Sequence, residues 1–461
     1  MAKAPNVFVI VFSLSLLVAA ASWVVPGGQY QRTTVTLDGG QREVVDPASF
    51  RFVAAQPQWW QVFAAPIRGF GKLWQIIVFI FLVGGAFAVV NETQAIAAGV
   101  GRLVELLRHR EYLVIPVVMT LFALFGAAFG MCEEAIPFVL IFVPLSLALG
   151  YDSIVGLCLS FLAAGVGFAA AFVNPFTLQI AQSIAGLPLL SGMGFRLLVF
   201  FLATSLTIAW VMVYAARIRK DPTKSLTYDL DLAKKEEWRN KIAQQPSLTA
   251  RQTAVLVVLL ATIVLTVWGA IAKGWFIVEL GALFFAMGLA AGFLAGFSAN
   301  RLAQTFVQGA KDIAGAALVV GFAGGILVLL EDSRILDTLL YAGAQLTRSL
   351  SPVVAAWAMY GVQFLLNIAI PSGSTKAALT MPLMAPLADL SGITRQVAVL
   401  AYQFGDGFTN MIVPTSGVTV ATLELAGVPF VRWFRWLWPL QVVFVVFSLA
   451  FLAIAVAIGW S

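Results

Sequence analysis

The sequence predicts an all-α, polytopic membrane protein built from two inverted repeats, with about nine transmembrane helices, two re-entrant hairpins and two broken helices. Three observations lead to this fold class. Of the 461 residues, 61% are hydrophobic and 11% are charged, whereas a soluble domain carries about 25% charged residues. Apolar runs long enough to cross a bilayer recur along the chain, and two of them contain proline within the run. Short words of the first half also recur in the second half.

Nine apolar segments are long enough to cross the membrane. Their approximate ranges are 6–25, 73–92, 153–187, 194–218, 252–272, 276–297, 310–331, 394–427 and 431–457. The third and eighth segments are too long for one simple crossing, and they carry Asn174-Pro175 and Pro414 in mid-course. Because proline removes a backbone donor and clashes with the preceding turn, 153–187 and 394–427 are each expected to be a broken helix.

Two further apolar stretches, 112–150 and 352–392, each consist of two arms around a polar tip. The first tip reads GMCEEAIP and the second reads AIPSGSTKAA. Either each arm crosses the membrane, or each pair forms a re-entrant hairpin whose tip stops near the middle. Non-helical backbone at that depth requires surrounding protein or a water-filled cavity.

An internal repeat favours the hairpins. Matching words lie 239 to 242 residues apart: PLSLALG at 144–150 with PLADLSG at 386–392, AGLP at 185–188 with AGVP at 426–429, and Phe195-Arg196 with Phe434-Arg435. The first repeat then comprises 1–218 and the second 252–461, joined by the charged linker 219–251. If the hairpins return to their own side, an odd number of crossings separates the two repeats, which inverts the second one.

Loop charges support this topology. Lys and Arg collect around 102–110 and 217–251, which therefore lie on the cytoplasmic face. We expect a multi-pass protein of the bacterial inner membrane, in contact with membrane lipid, with a cytoplasmic N-terminus and a periplasmic C-terminus. The polar stretch between 26 and 70 alternates as a strand does and contains a Gly-Gly turn, which predicts an external loop with a small hairpin. Arg196 and Arg435 are expected to be interfacial anchors.

A helix that stops in mid-membrane exposes free N–H groups, which favour carboxylates, or free C=O groups, which favour cations. The polar side chains at the two tips and two breaks are Glu133, Glu134, Asn174, Thr177, Ser372, Ser374, Thr375, Lys376, Asp406, Asn410, Thr415 and Ser416. One of the adjacent glutamates is expected to face the site while the other caps the tip or pairs with a cation. The sequence leaves open which one does so.

Each group also has a purely structural interpretation. Lys376 and a glutamate could form a buried structural pair, although intramembrane charges are functional by default. The tip hydroxyls could only cap the following helix. Asn174 and Ser416 could only satisfy backbone groups freed by the prolines.

Long motifs carry a resemblance to a known family. PSGSTKAALTMPLMAPLADLSGITRQ and QFGDGFTNMIVPTSG resemble the YfcC-like branch of the C4-dicarboxylate anaerobic carrier (DcuC-type) family, and GMCEEAIPF, LGYDSIVG and NPFTLQIAQSIAGLPL resemble its first half. The resemblance implies the ion-transporter superfamily, whose known members are homodimers in which hairpins and broken helices slide as an elevator against a scaffold. Thr375 stands where this family is expected to have glycine, and Cys132 where it is expected to have a small residue such as alanine.

The resemblance also selects substrate-binding residues. They are Glu133, Glu134, Asn174, Ser372, Ser374, Lys376, Asp406, Asn410, Thr415 and Ser416. Lys376, the tip hydroxyls and helix N-termini would hold carboxylate groups. Three acids against one lysine favour a bound cation or a zwitterionic or basic substrate.

The predicted function is therefore a secondary active transporter for a small carboxylate-bearing metabolite. The substrate class stays open between a C4-dicarboxylate and an amino acid, and a basic amino-acid antiporter is an alternative. Coupling is expected to Na⁺, to H⁺ or by exchange, with a sodium site near Glu133, Asn174, Asp406 and Asn410.

Other function classes fit less well. An ion channel is a weaker alternative, because it needs a polar path along the spans rather than clusters at tips and breaks. One histidine and the absence of a nucleophile–base spacing argue against an enzyme, and no cofactor is expected. Nothing suggests a nucleic-acid partner, since the net charge of +6 speaks about topology. The two cysteines suggest no disulfide framework.

Overall fold

The computed structural model describes residues 7–37, 40–106, 110–174, 176–243, 248–273, 275, 277–347 and 350–461. The helices before the linker are α1 Val7–Ala21, α2 Gln61–Lys72, α3 Trp74–Glu92, α4 Ala95–Leu106, α5 Val114–Phe129, α6 Val139–Ala148, α7 Ser153–Leu157, α8 Ala163–Ala169, α9 Leu178–Ile184 and α10 Met193–Lys220. The linker forms α11 Tyr228–Ala243. After it come α12 Ala250–Lys273, α13 Ile277–Leu294, α14 Ala299–Asp312, α15 Ala314–Asp332, α16 Ile335–Thr347, α17 Pro352–Ala369, α18 Gly373–Leu390, α19 Arg395–Asn410, α20 Gly417–Ala426 and α21 Phe430–Ala457.

The polar segment after α1 contains the predicted hairpin. Strand β2 Arg32–Leu37 pairs antiparallel with β3 Gly40–Val45, and β1 Gly27–Gln29 pairs antiparallel with β4 Arg51–Val53. The turn residues 38 and 39 lie outside the described residues. The hairpin prediction is confirmed.

The predicted count of nine spans is not confirmed. In the described part of the chain, six helices are long and apolar enough to cross a membrane, and the pair α14–α15, bent by 46°, would make a seventh. The six are Trp74–Glu92, Glu111–Ala128, Met193–Lys220, Ile277–Leu294, Pro352–Ala369 and Phe430–Ala457. Among the other predicted spans, 252–272 lies within α12, α1 has 15 described residues, and the two longest segments break. Two of the six are first arms of the predicted hairpins, so re-entrant geometry stays a prediction.

Both predicted helix breaks are present. In the first, α8 ends at Ala169 and α9 begins at Leu178; in the second, α19 ends at Asn410 and α20 begins at Gly417. Pro175 lies outside the described residues. The first break is secured by α5, whose Ala127 carbonyl accepts from the backbone N–H groups of residues 173 and 174, at 3.2 and 3.1 Å. Backbone groups freed by the break thus find partners inside the protein, as a membrane requires.

Features of the backbone recur about 240 residues apart. Gln94 and Arg334, which follow α3 and α15, both have positive φ, at 59° and 62°. Non-glycine residues rarely adopt this conformation. The packing also recurs, because α5 packs against α8 and α17 packs against α19. These matches extend the sequence repeat to the turns and to helix pairs.

Glycines bring helices of the two halves into backbone contact. Helix α2 packs against α15, and α14 packs against α3. A Cβ at Gly69 would lie 2.3 Å from the carbonyl oxygen of Gly321, and a Cβ at Gly309 would lie 2.6 Å from that of Gly84. Small residues allow such close approach between membrane helices. We call these two contacts the glycine seam.

The expectation that Arg196 anchors at the membrane interface is wrong. Its side chain is buried, Nη2 donates to Gln396 Oε1 at 3.2 Å, and the guanidinium lies 5.0 Å from the ring centre of Trp460. The Arg196 side chain lies on the side of α10 that faces the start of α19, whereas Leu197 and Leu198 are exposed, which explains the difference. Arg435, by contrast, is exposed.

The linker helix is attached to both broken segments. Asp231 accepts from the Ser153 backbone N–H at 2.8 Å, at the start of α7, and Lys234 Nζ donates to the Ala426 carbonyl at 2.7 Å, at the end of α20. A carboxylate at a helix N-terminus and an ammonium at a C-terminus both complement the helix dipole. Burial raises the pKa of nearby Asp152 and lowers the pKa of Lys234.

Candidate functional site

A cavity of about 270 Å³ lies where the two tips and the second break meet. Polar residues in its wall come from five places in the chain, separated by up to 344 positions in sequence but adjacent in space. They include Cys132, Glu133, Thr177, Ser372, Ser374, Asn410, Thr415 and Ser416. The structure therefore brings together six of the predicted site residues: Glu133, Ser372, Ser374, Asn410, Thr415 and Ser416.

The adjacent glutamates have different environments. Glu133 lines the cavity. Glu134 is 2% exposed, and its Oε2 accepts from the Cys132 backbone N–H at 2.9 Å. Glu134 therefore caps the tip, and Glu133 is the carboxylate that faces the cavity.

The second tip offers hydroxyls and free backbone donors. Ser372 Oγ donates to Thr375 Oγ1 at 3.1 Å, and no side chain caps the N-terminus of α18. Tyr402 holds this tip in place, because its hydroxyl donates to the Gly373 carbonyl at 2.7 Å. Ser372 and Ser374 therefore face the cavity without being consumed as helix caps, while Thr375 lies beside them and outside the cavity wall.

The second break presents another helix N-terminus to the cavity. Ser416 Oγ accepts from the Thr419 backbone N–H at 3.3 Å and so caps α20. Thr415 is buried in the wall and its Oγ1 has no hydrogen-bond partner. Asn410 stands at the other side of the break, where α19 ends. Two helix N-termini, those of α18 and α20, thus border the same cavity.

Asn174 supports the first break rather than the cavity wall. Its side chain is buried, and Oδ1 accepts from the backbone N–H groups of Phe176 and Thr177, at 2.9 and 3.3 Å. This is the structural role that the sequence left open for it. Thr177, the next polar residue, does line the cavity and accepts from Gln403 Nε2 at 3.2 Å.

Lys376 and Asp406 lie beside the cavity but outside its wall. Lys376 Nζ is 2.9 Å from Asp406 Oδ1, and both side chains are buried, at 0% and 1% exposed. Nζ also donates to Asn367 Oδ1 at 2.6 Å and to the Gln363 carbonyl at 3.3 Å. The sequence placed both charged residues at the candidate site, but it did not predict that they form an ion pair with each other. A lone buried charge would be far more costly than this pair.

Sequence reasoning missed the polar residues of α17 and two of α19. Asn367 and Gln363 both lie in the apolar stretch YGVQFLLNIAIP, and Tyr402 and Gln403 precede Asp406. The available signal was an amide within a membrane segment, which usually faces the interior of a bundle. Within the described ranges, no group of three or more His, Cys, Asp or Glu side chains has the geometry of a metal site.

Comparison with known proteins identifies the family. The family model described as "C4-dicarboxylate anaerobic carrier" (DcuC) matches residues 4–457. This chain belongs to the DcuC family. One DcuC relative, from Escherichia coli (strain K12), is named "Putative basic amino acid antiporter YfcC"; it is 40% identical over 94% of this chain and 92% of its own length. Another, from Haemophilus influenzae, is named "Uncharacterized protein"; it is 30% identical over 95% of this chain and 94% of its own length.

Two solved transporters align with nearly the whole of this DcuC chain. The Alcanivorax borkumensis YdaH transporter aligns over 99% of both chains with 16% identity and a TM-score of 0.45. Neisseria gonorrhoeae MtrF, from a class described as antimetabolite efflux pumps, aligns over 99% of this chain and 96% of its own with 16% identity and a TM-score of 0.42. The family match and the apolar helices together make this chain a membrane transporter.

Proposed function

We propose that this chain is a secondary active transporter that exchanges a small amino acid carrying a cationic side chain across the bacterial inner membrane. The observation that carries the proposal is the charge of the cavity. Glu133 and Lys72 are the charged residues among the described residues of its wall. The Lys72 ammonium pairs with Glu331, so the carboxylate of Glu133 is left to attract a cationic group.

The bound carboxylate would meet the opposite wall. Free N–H groups at the start of α18, with Ser372 and Ser374, form one anion-binding region, and the start of α20 forms a second. Lys376, which the sequence assigned to the carboxylate, is neutralised by Asp406. A dianion would therefore find no free cation in this cavity and would face the charge of Glu133. This favours the amino acid over the C4-dicarboxylate.

The size of the cavity agrees with a small solute. Its volume of about 270 Å³ lies below the range of about 300–1,000 Å³ typical of pockets for drug-sized ligands. Exchange is supported by the printed name of the 40% identical relative, "Putative basic amino acid antiporter YfcC". Coupling to Na⁺ or H⁺ is the alternative, with Glu133 as the residue that would bind the ion.

We further propose an elevator mechanism in a homodimer, with two inverted repeats, a cytoplasmic N-terminus and a periplasmic C-terminus. The repeated turns, the recurrent helix packing and the glycine seam support two related halves. The linkage of α11 to both broken segments supports movement of those segments as one body.

The test is exchange in proteoliposomes with L-lysine and succinate as probes. Glu133→Gln should raise the half-saturating lysine concentration by about 10–100-fold, because a hydrogen bond or ion pair to a charged group contributes about 1.5–3 kcal/mol. Glu424→Gln is the matched control, since Glu424 is exposed on α20 and lies outside the cavity wall. Its exchange should equal that of the unmodified protein. Succinate exchange without lysine exchange would overturn the assignment.

A further inference from the structure

The ammonium of Lys376 is held by oxygen atoms alone. Nζ lies 2.9 Å from Asp406 Oδ1, 2.6 Å from Asn367 Oδ1 and 3.3 Å from the Gln363 carbonyl oxygen. A carboxylate, an amide carbonyl and a backbone carbonyl are the ligands that hard metal cations take in proteins. Each of the three comes from a different position on α17 or α19.

Hydrogen bonds from its nitrogen orient the side-chain amide of Asn367. Asn367 Nδ2 donates to Asn410 Oδ1 at 2.9 Å and to the Asp406 carbonyl at 3.3 Å. With its nitrogen engaged on that side, Asn367 presents its oxygen to the ammonium. The site also lies close to the end of α19, next to the second break, where transporters bind coupling ions through exposed oxygens.

We propose that Lys376 supplies a tethered cation that permanently occupies a monovalent-cation site of this carrier, in the place where a sodium ion would otherwise bind. This inference rests on the proposed transport function for its significance, but the site itself can be tested without transport. It predicts that the unmodified protein binds no sodium at Asp406, and that removing the lysine side chain creates a sodium site there.

The experiment measures thermal unfolding of the purified full-length protein in NaCl and in choline chloride of equal concentration. An ion that binds only the folded state raises the melting temperature of the protein. The unmodified protein should melt at the same temperature in both salts. Lys376→Ala should melt at least about 3 °C higher in saturating sodium than in choline. The matched control is Lys72→Ala, which removes a lysine of the cavity wall and should show no sodium effect.

A double variant identifies the ligand. Lys376→Ala/Asp406→Asn removes both charges, should fold because no lone charge remains buried, and should lose the sodium effect. If Lys376→Ala yields folded protein only when prepared in sodium, the proposal is supported. Failure to fold in either salt, a folded variant that ignores sodium, or an equal sodium effect in the double variant would overturn it.

The two proposals fail separately. A lack of lysine exchange would refute the proposed substrate and leave the sodium measurement unchanged. Sodium stabilisation of the unmodified protein that Asp406→Asn abolishes would refute the tethered cation, whatever the substrate is.

Discussion

Asn367 connects the charged pair to the second break. Its oxygen accepts from Lys376 and its nitrogen donates to Asn410 and to the backbone of Asp406. Without Asn367, the buried ammonium of Lys376 would keep its contacts with Asp406 and the Gln363 carbonyl. A single amide therefore decides whether the ammonium has enough oxygen ligands to remain charged at this depth.

We expect Asn367→Leu to lower the melting temperature substantially. The change leaves the Lys376 ammonium without its nearest oxygen, which costs about 1–3 kcal/mol or more for a charged group. Gln308→Leu is the control, because Gln308 is exposed and donates to Asp312 one turn further along the same helix. This change should alter stability by less than about 0.5 kcal/mol. Equal melting temperatures for the two variants would refute this role for Asn367.

Much of the site could be predicted from single residues, but their pairing could not. Ser372, Thr415 and Glu133 stand out because polar residues interrupt apolar runs. The difference between Glu133 and Glu134 depends on a backbone N–H of the tip, and the contact between Lys376 and Asp406 joins two helices. Neither contact follows from the spacing of residues along one helix. The sequence therefore predicts which polar residues lie at the site but not which of them contact each other.

At the scale of elements, the linker helix α11 bridges the start of α7 and the end of α20, which belong to the two broken segments. Asp231 receives hydrogen bonds from the backbone and hydroxyl of Ser153 and from the Thr227 hydroxyl. Lys234 reaches the final carbonyls of α20. The linker therefore does not only connect the two halves of the chain. It also joins the N-terminus of α7 to the C-terminus of α20.

We expect Asp231→Ala to release the linker. Losing these bonds should favour the detached state by about 1–3 kcal/mol. Trypsin should then cleave α11 about 5–150-fold faster, when opening and closing are fast relative to cleavage. Asp221→Ala is the matched control, because Asp221 is exposed and bonds to Thr223 and Lys224 nearby. A similar rate in both variants would show that α11 is not held by Asp231.

The sequence predicts the ends of a helix where nearby residues, such as proline, interrupt it. Proline and asparagine mark both breaks. The bend between α14 and α15 has no proline. It lies where the largely polar sequence of α14, which ends at Asp312, gives way to the apolar sequence of α15. The predicted count of nine spans is not confirmed, since apolar length alone does not reveal where a helix stops.

At the scale of the whole molecule, the glycine seam joins the two halves. Gly69 on α2 meets the backbone of α15, and Gly309 on α14 meets the backbone of α3. Ion pairs lie near the ends of the same helices: Arg68 with Asp332, and Arg301 with Glu92. These exposed pairs contribute little by themselves, so backbone packing is the main contact at the seam.

We expect Gly69→Ala to destabilise the protein by about 1–3 kcal/mol, because its Cβ would lie 2.3 Å from backbone atoms of Gly321 and Gly325 and the helices must separate. Gly71→Ala in the same helix should be neutral or slightly stabilising, since nothing lies within 4 Å of its Cβ and alanine favours the helix. Thermal unfolding of both variants checks this. Two equal melting temperatures would refute the close contact.

The seam also limits how this sequence can diverge. At Gly85, an added methyl group would strike the ring of Phe306, and a smaller residue at 306 could restore the fit. At Gly69 the obstacle is the main chain of three other glycines, Gly321, Gly324 and Gly325, and these residues have no side chain that could be made smaller. No substitution at these glycines can make room for a larger residue. A larger side chain at position 69 therefore requires a whole helix to shift.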